Sequence, residues 1–245
     1  MILGTIYAFL FLVAALCLVV GVALRVIRYG RTPAPLVIPI TPAPTTTGGV
    51  VARMFREVVL FESLFKASKW TWLFGWLFHF GLLVALLRHL RYFTEPVWQW
   101  VELIQWVGLY GGGVMLFGLL GLSARRFLVD RVRYISAPSD HLMLVLLGAI
   151  AGSGFAIKYG VHSDIVALKA FTLGLVAFDW QPLPAEPLLL IHLTLVIFLM
   201  VIFPFSKLLH APGVFFSPTL TMKDTPREKR HSAPWADEIN RLTRR

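Results

Sequence analysis

The sequence predicts an all-α integral membrane protein, a bundle of five transmembrane helices. Hydrophobic residues make up 57% of the 245 residues and charged residues only 15%, whereas a soluble domain carries roughly a quarter charged residues. The mean hydropathy is +0.73. Several apolar runs also exceed the ~20 residues that cross a bilayer as a helix.

The five predicted spans are 2–27, 70–92, 104–123, 140–160 and 187–209. The first run is hydrophobic enough for a signal peptide, but it lacks a basic region before it and is too long for one. Its positive charges, Arg25, Arg28 and Arg31, follow it instead. We therefore expect this run to stay in the protein as the first helix.

The loop charges predict the orientation of the bundle, because cytoplasmic loops are enriched in Lys and Arg. Basic residues concentrate after span one, after span three and in the tail, whereas loops 93–103 and 161–186 contain few. Arg88 and Arg91, near the outer end of span two, run against this trend. The pattern predicts an outside N-terminus and a cytoplasmic C-terminus, and it explains the net charge of +10 without a nucleic-acid partner. We expect the membrane to be the bacterial inner membrane.

The polar segments complete the domain organisation. Residues 1–212 form the membrane domain, and residues 213–245 form a basic cytoplasmic tail. Residues 28–69 between the first two spans are a cytoplasmic insert: a proline-rich extended stretch at 32–47, then an interfacial helix at 50–68 with apolar and charged residues at helical spacing. We expect a second such helix at 163–178, on the outer face.

Four histidines in two of the spans suggest cofactor chemistry. Imidazole is costly in hydrocarbon and needs a partner or a function there. His79 and His89 lie in span two, and His192 and His210 lie in or at the end of span five. Two imidazoles are what a b-type haem needs as axial ligands. Antiparallel spans pair His79 with His210 at the inner side and His89 with His192 at the outer side, which predicts two non-covalent haem b groups.

The spacing of the histidines fits this pairing only approximately. Eighteen residues make five full helical turns, so His192 and His210 share a face, and ten residues leave His79 and His89 about 80° apart. The axial separations are about 27 Å and about 15 Å at 1.5 Å per residue. Their mean, about 21 Å, suits two stacked haems in a hydrocarbon core of ~30 Å.

Other residues are candidates for holding the haems. The cations that fit propionate partners, or plain interfacial anchors, are Arg88, Arg91, Arg125, Arg126 and Lys207. The glycines that thin one side of span three are Gly111, Gly112, Gly113, Gly118 and Gly121. These glycines either admit a macrocycle or allow close helix packing.

The single cysteine limits what this chain does alone. Cys17 makes no internal disulfide, and an iron–sulfur cluster takes about four thiolates. No Cys-x-x-Cys-His motif for covalent haem is present. Any iron–sulfur cluster must therefore belong to another subunit. The alternative from a different class is a haem-free membrane anchor or transporter whose histidines hydrogen-bond one another.

The histidine motifs resemble the gamma subunit of respiratory nitrate reductase, a dihaem cytochrome b with five spans. FHFGLLVALLRHLRYF surrounds the first pair and HLTLVIFLMVIFPFSKLLHAP the second, and FPFSKLLH is the most specific part. The resemblance extends from span one to about Pro212. It implies that the four histidines are axial ligands and that a quinol site lies near the outer haem.

The insert departs from the nitrate type. IPITPAPTTTGG and REVVLFESLFKASKWTW are similar to the membrane cytochrome b of the Dsr sulfur-metabolism complex, related to heterodisulfide-reductase-type cytochromes. That branch implies a cytoplasmic iron–sulfur partner, with further membrane and periplasmic subunits. The nitrate type has a quinol-site lysine before span three, where this chain offers Glu102 and Gln105. We take these two residues, with His89, as quinone-site candidates.

Together these observations predict a quinone oxidoreductase subunit, incomplete as an enzyme alone. It transfers electrons between menaquinone or ubiquinone and a cytoplasmic iron–sulfur subunit, with sulfur metabolism as the expected setting. The alternative within the class is the cytochrome of a nitrate-reductase, hydrogenase or formate-dehydrogenase complex.

Overall fold

The computed structural model describes residues 1–33, 39 and 41–224. Most of the expected tail, residues 225–245, and part of the proline-rich stretch lie outside the described residues. The described chain divides into two units. The first contains residues 1–25 and 61–209, and the second contains the described residues of 26–60 and 210–245.

Within the described residues, five helices are long and apolar enough to cross a membrane, which confirms the predicted fold class. They are α1 (Ile2–Arg31), α4 (Lys69–His89), α5 (Gln99–Leu128), α7 (Pro138–Tyr159) and α9 (Pro187–Ile202). The shorter helices are α2 (Thr47–Phe55), α3 (Glu62–Ala67), α6 (Asp130–Ile135), α8 (Ile165–Ala177), α10 (His210–Gly213) and α11 (Pro218–Thr221). Short 3₁₀ turns extend α4 to Tyr92 and α9 to Phe205.

Glycines let α4 and α5 pack backbone to backbone in antiparallel directions. A Cβ added at Gly81 would lie 2.5 Å from the Met115 backbone nitrogen, and one at Gly118 would lie 2.5 Å from that of Phe78. Small residues at such crossings let helix axes approach closely in a membrane. Close packing, rather than space for a macrocycle, is therefore the role of Gly118.

The remaining spans add to this pair in sequence. Leu147 and Ala151 of α7 join Phe78, Met115 and Leu119 in one buried core. Helix α7 then contacts α9, and α1 lies along α9 in the parallel direction. At the start of α1, Tyr7 Oη lies 2.8 Å from Thr194 Oγ1, and further along Cys17 Sγ donates to the Val201 carbonyl at 3.6 Å.

Helix α8 secures the loop that follows α4. Asp164 caps α8, because its Oδ1 accepts the backbone N–H groups of Val166 and Ala167, each at 3.0 Å. Thr172 Oγ1 donates to the Tyr92 carbonyl, and Lys169 forms an ion pair with Glu95. The helix predicted at 163–178 is thus present, and it anchors the end of the bundle at which α4 terminates.

The second unit is built from the insert and the chain beyond α9. Helix α11 packs against α2, and the Asp224 backbone N–H donates to the Pro44 carbonyl at 3.0 Å. The rings of Tyr29 and Phe216 lie 5.9 Å apart. The first residues of the predicted tail therefore form short helical turns against the insert.

Two helices end earlier than predicted. The expected helix at 50–68 is interrupted: π-helical turns at Arg56–Leu60 follow α2, and Phe61 then adopts φ 53° in the left-handed region. The expected span at 187–209 ends as an α-helix at Ile202, because Pro204 lacks an N–H and its ring clashes with the preceding turn. His210 consequently begins a separate helix.

Candidate functional site

His79 lies on α4 against aromatic rings. Its Nδ1 is 2.7 Å from the Gly75 carbonyl, one turn earlier on the same helix. Phe61 and Phe78 make edge-on contacts with the imidazole, with ring centroids 5.0 Å and 4.8 Å away. Phe61 has φ 53°, which is an outlier for a bulky residue, and it follows the interrupted helix directly.

His89, the last residue of α4, repeats this arrangement. Its Nδ1 is 2.6 Å from the Ala85 carbonyl, again one turn earlier. The imidazole is exposed on the surface of this chain, with the Tyr92 ring 5.9 Å away. An exposed imidazole within a span is costly against lipid tails, so a cofactor or subunit covering it would stabilise it.

His192 on α9 has a partner from another helix. Its Nδ1 lies 2.9 Å from Ser153 Oγ on α7. A Cβ added at Gly154 would lie 3.1 Å from His192 Cε1, so the ring packs directly on the α7 backbone. The pairing of His192 with His89 stays a prediction.

These contacts assign the proton of the two imidazole rings on α4. A backbone carbonyl only accepts, so His79 and His89 must carry their proton on Nδ1. The lone pair of each neutral ring is then on Nε2. Metal-ligating histidines characteristically donate their second N–H in this way. The residues present therefore fit haem iron as a ligand set.

His210 lies in the second unit, as the first residue of α10, and is exposed. The expectation that His192 and His210 share one face of a continuous helix is wrong, because that helix ends at Ile202. The expected separation of about 27 Å assumed 1.5 Å of rise per residue throughout and loses its basis too. The pairing of His210 with His79 continues to rest on the sequence.

The structure brings three of the predicted outer residues together. Arg88 Nη1 donates to the Gln105 carbonyl at 2.9 Å, and Arg91 Nη1 donates to Gln105 Oε1 at 3.2 Å. Glu102 lies one turn earlier on α5 and is exposed. Two cations and an amide thus lie beside the helix end that carries His89.

At the opposite end of the bundle, two of the predicted propionate cations have a protein partner. Asp140, only 7% exposed, lies 2.6 Å from Lys207 Nζ and 3.5 Å from Arg126 Nη1. Its Oδ2 also accepts the Ala137 backbone N–H at 3.0 Å. This cluster joins the end of α5, the start of α7 and the segment after α9. Arg125 lies in the last turn of α5 outside these contacts.

Sequence reasoning missed Asp140, Ser153 and Gly154. A carboxylate three residues after Ala137 could have indicated a helix start. The Gly-Ser-Gly run within an apolar span could have indicated a polar contact with another helix. Neither signal names its partner, because the partner comes from a distant part of the chain.

Comparisons with known proteins agree with the motifs. The family model described as nitrate reductase gamma subunit matches residues 62–226, which include all four histidines. The Hdr-like menaquinol oxidoreductase cytochrome b-like subunit of Archaeoglobus fulgidus is 35% identical, over 91% of this chain and 81% of that protein. The subunit of the same name from Archaeoglobus profundus is also 35% identical, over 89% and 78%. The respiratory nitrate reductase 1 gamma chain of Escherichia coli is 28% identical over 55% of this chain and 68% of that protein.

Proposed function

Because the chain belongs to the nitrate reductase gamma subunit family, we propose that it is a dihaem b-type membrane cytochrome. In this proposal it passes electrons between the quinone pool and a cytoplasmic iron–sulfur partner subunit. The family assignment confirms the resemblance of the histidine motifs and supports a redox subunit of a larger oxidoreductase complex.

The observation that carries the proposal is the shared hydrogen-bond pattern of the histidines. His79, His89 and His192 each engage Nδ1 with an oxygen at 2.6–2.9 Å. Each ring therefore keeps a fixed orientation and offers Nε2 as the ligand.

Each pair of histidines serves one haem in the proposal. His89 and His192 hold the group nearer the outside, and His79 and His210 hold the one nearer the cytoplasm. Bound haem supplies one-electron redox chemistry. The chain supplies the ligands, their orientation and the nearby charges. Arg88 and Arg91 are the cations beside His89. Arg125, in the last turn of α5, is the cation that we propose for the other haem.

We also propose a quinone site next to the outer pair, at the end of the bundle where α4 ends and α5 begins. Gln105 accepts from Arg91, and its own Nε2 donates to the Val101 carbonyl at 3.3 Å. An amide held in place beside cations can hydrogen-bond a quinone oxygen. Glu102, one turn away and exposed, is a candidate to receive a quinol proton. The name of the archaeal relatives, menaquinol oxidoreductase subunits, favours menaquinol as the donor.

The partner is inferred from what this chain lacks. One cysteine cannot hold an iron–sulfur cluster, so the electrons must leave through another subunit. The Hdr-like name of the relatives favours a heterodisulfide-reductase-like subunit. Sulfur metabolism is the setting that we propose from the resemblance of the insert. The second unit and α6 are the parts we expect to meet it in the cytoplasm.

The proposal is tested by counting haems in the purified full-length protein. A reduced-minus-oxidised spectrum with organic extraction of the haem should give about two non-covalent haems b per chain. Addition of a menaquinol should then reduce them. A colourless protein from cells supplied with haem would exclude the proposal and favour a haem-free anchor.

A further inference from the structure

The ring of His192 packs against two consecutive residues of α7, Ser153 and Gly154. Ser153 is buried, with 9% of its surface exposed, and its Oγ is 2.9 Å from His192 Nδ1. Gly154 provides the flat surface beside it, because an added Cβ would come within 3.1 Å of the ring. His192 therefore makes one hydrogen bond to α7 and packs closely against the backbone of that helix.

The direction of the hydrogen bonds follows from the other partners of the hydroxyl. Ser153 Oγ lies 2.7 Å from the Ala149 carbonyl and 3.1 Å from that of Ile150. Carbonyls only accept, so the single hydroxyl proton is donated to its own helix. The oxygen then accepts from His192 Nδ1–H. A hydroxyl that already donates is polarised into a stronger acceptor.

We propose that Ser153 is a positioning residue for His192, a role that rests on the proposed function above. It fixes the ring orientation and the tautomer with the lone pair on Nε2. It also increases the electron donation of that nitrogen to iron, since an acceptor at the second ring nitrogen raises ligand basicity. Ser153 thereby lowers the reduction potential of the haem held by His89 and His192.

This arrangement sets His192 apart from the two histidines of α4. His79 and His89 use the carbonyl of their own helix one turn earlier, so no side-chain substitution removes their acceptor. The acceptor of His192 is a side chain on a different helix. Mutation of Ser153 can therefore change the outer pair without altering a ligand or the inner pair.

The test is a redox titration of the full-length protein in its native complex, with the haem absorbance as the signal. S153A should move one of the two haem components to a higher potential and leave the other in place. The low-spin ferric EPR signal of the same haem should shift with it. S153T keeps the hydroxyl and should behave as wild type. Valine has the shape of threonine without the hydroxyl, so S153V should behave as S153A.

A hydroxyl elsewhere on α9 provides the matched control. T194V deletes a group that donates to the Leu190 carbonyl at 2.7 Å and contacts Tyr7, so both haem potentials should stay unchanged. Unchanged potentials in S153A and S153V, or equal shifts in S153T and S153V, would overturn the role of Ser153. A wild-type protein without haem would instead overturn the proposed function itself, so the two failures are distinguishable.

Discussion

A neutral imidazole in hydrocarbon needs an acceptor for its one N–H, and the choice of acceptor decides what the ring can still do. In His79, His89 and His192 the contacts engage Nδ1. A small residue, Gly75 or Ala85, lies one turn before each of the two histidines on α4. At the level of single residues, the carbonyl one turn earlier on the same helix therefore orients the rings of His79 and His89.

Replacement of His89 by Ala tests the ligand assignment. H89A removes one axial ligand of the outer pair, so we expect about one haem per chain in place of two, with the inner component still present. Pyridine haemochrome quantification and low-temperature spectra of the purified variant measure this. H162A, at an exposed histidine of the same end of the bundle, should retain both haems. Two haems in H89A would show that another residue is the ligand.

At the scale of the helices, the close packing of α4 and α5 depends on the positions of glycines. Helix α5 presents Gly111 and Gly118 to α4, and both are buried in that crossing. Gly112 on the same helix has open space around an added Cβ. The glycine-rich run of α5 therefore contains positions with opposite tolerance to substitution, which composition alone does not separate.

The α4–α5 crossing makes a specific prediction. G118A places a Cβ 2.5 Å from the backbone nitrogen of Phe78, where the neighbour cannot rotate away. We expect the helices to separate and the protein to lose about 1–3 kcal/mol, as overpacked cores do. G112A should be neutral or stabilise the helix by up to ~1 kcal/mol. Thermal unfolding in detergent compares the two, and equal midpoints would contradict the tight crossing.

For the whole molecule, the loop charges predict on which side of the membrane each loop lies. The parallel packing of α1 and α9 is compatible with that prediction. Helices α1 and α9 are parallel, as the first and last of five spans that alternate in direction must be. With the orientation that we predict from the loop charges, the basic residues at 125–133 and in the tail are on the cytoplasmic side.

Reporter fusions test this orientation. A fluorescent protein that matures only in the cytoplasm should be bright when fused after Arg245 and dark when inserted in the 161–164 loop. A phosphatase that is active only outside should give the reverse pattern. Bright fluorescence from the loop fusion would reverse the orientation and exchange the outer and inner histidine pairs.

The sequence by itself determined the number of spans and the helix within 163–178, because hydropathy is a local property of the chain. It did not predict the break at Phe61 or the end of α9 before His210. Only the tertiary structure decided that Gly118 packs against α4, that Asp140 neutralises Lys207 and Arg126, and that Ser153 receives the N–H of His192. These contacts join residues on different helices, and the periodicity of one helix contains no information about the side chains of its neighbour.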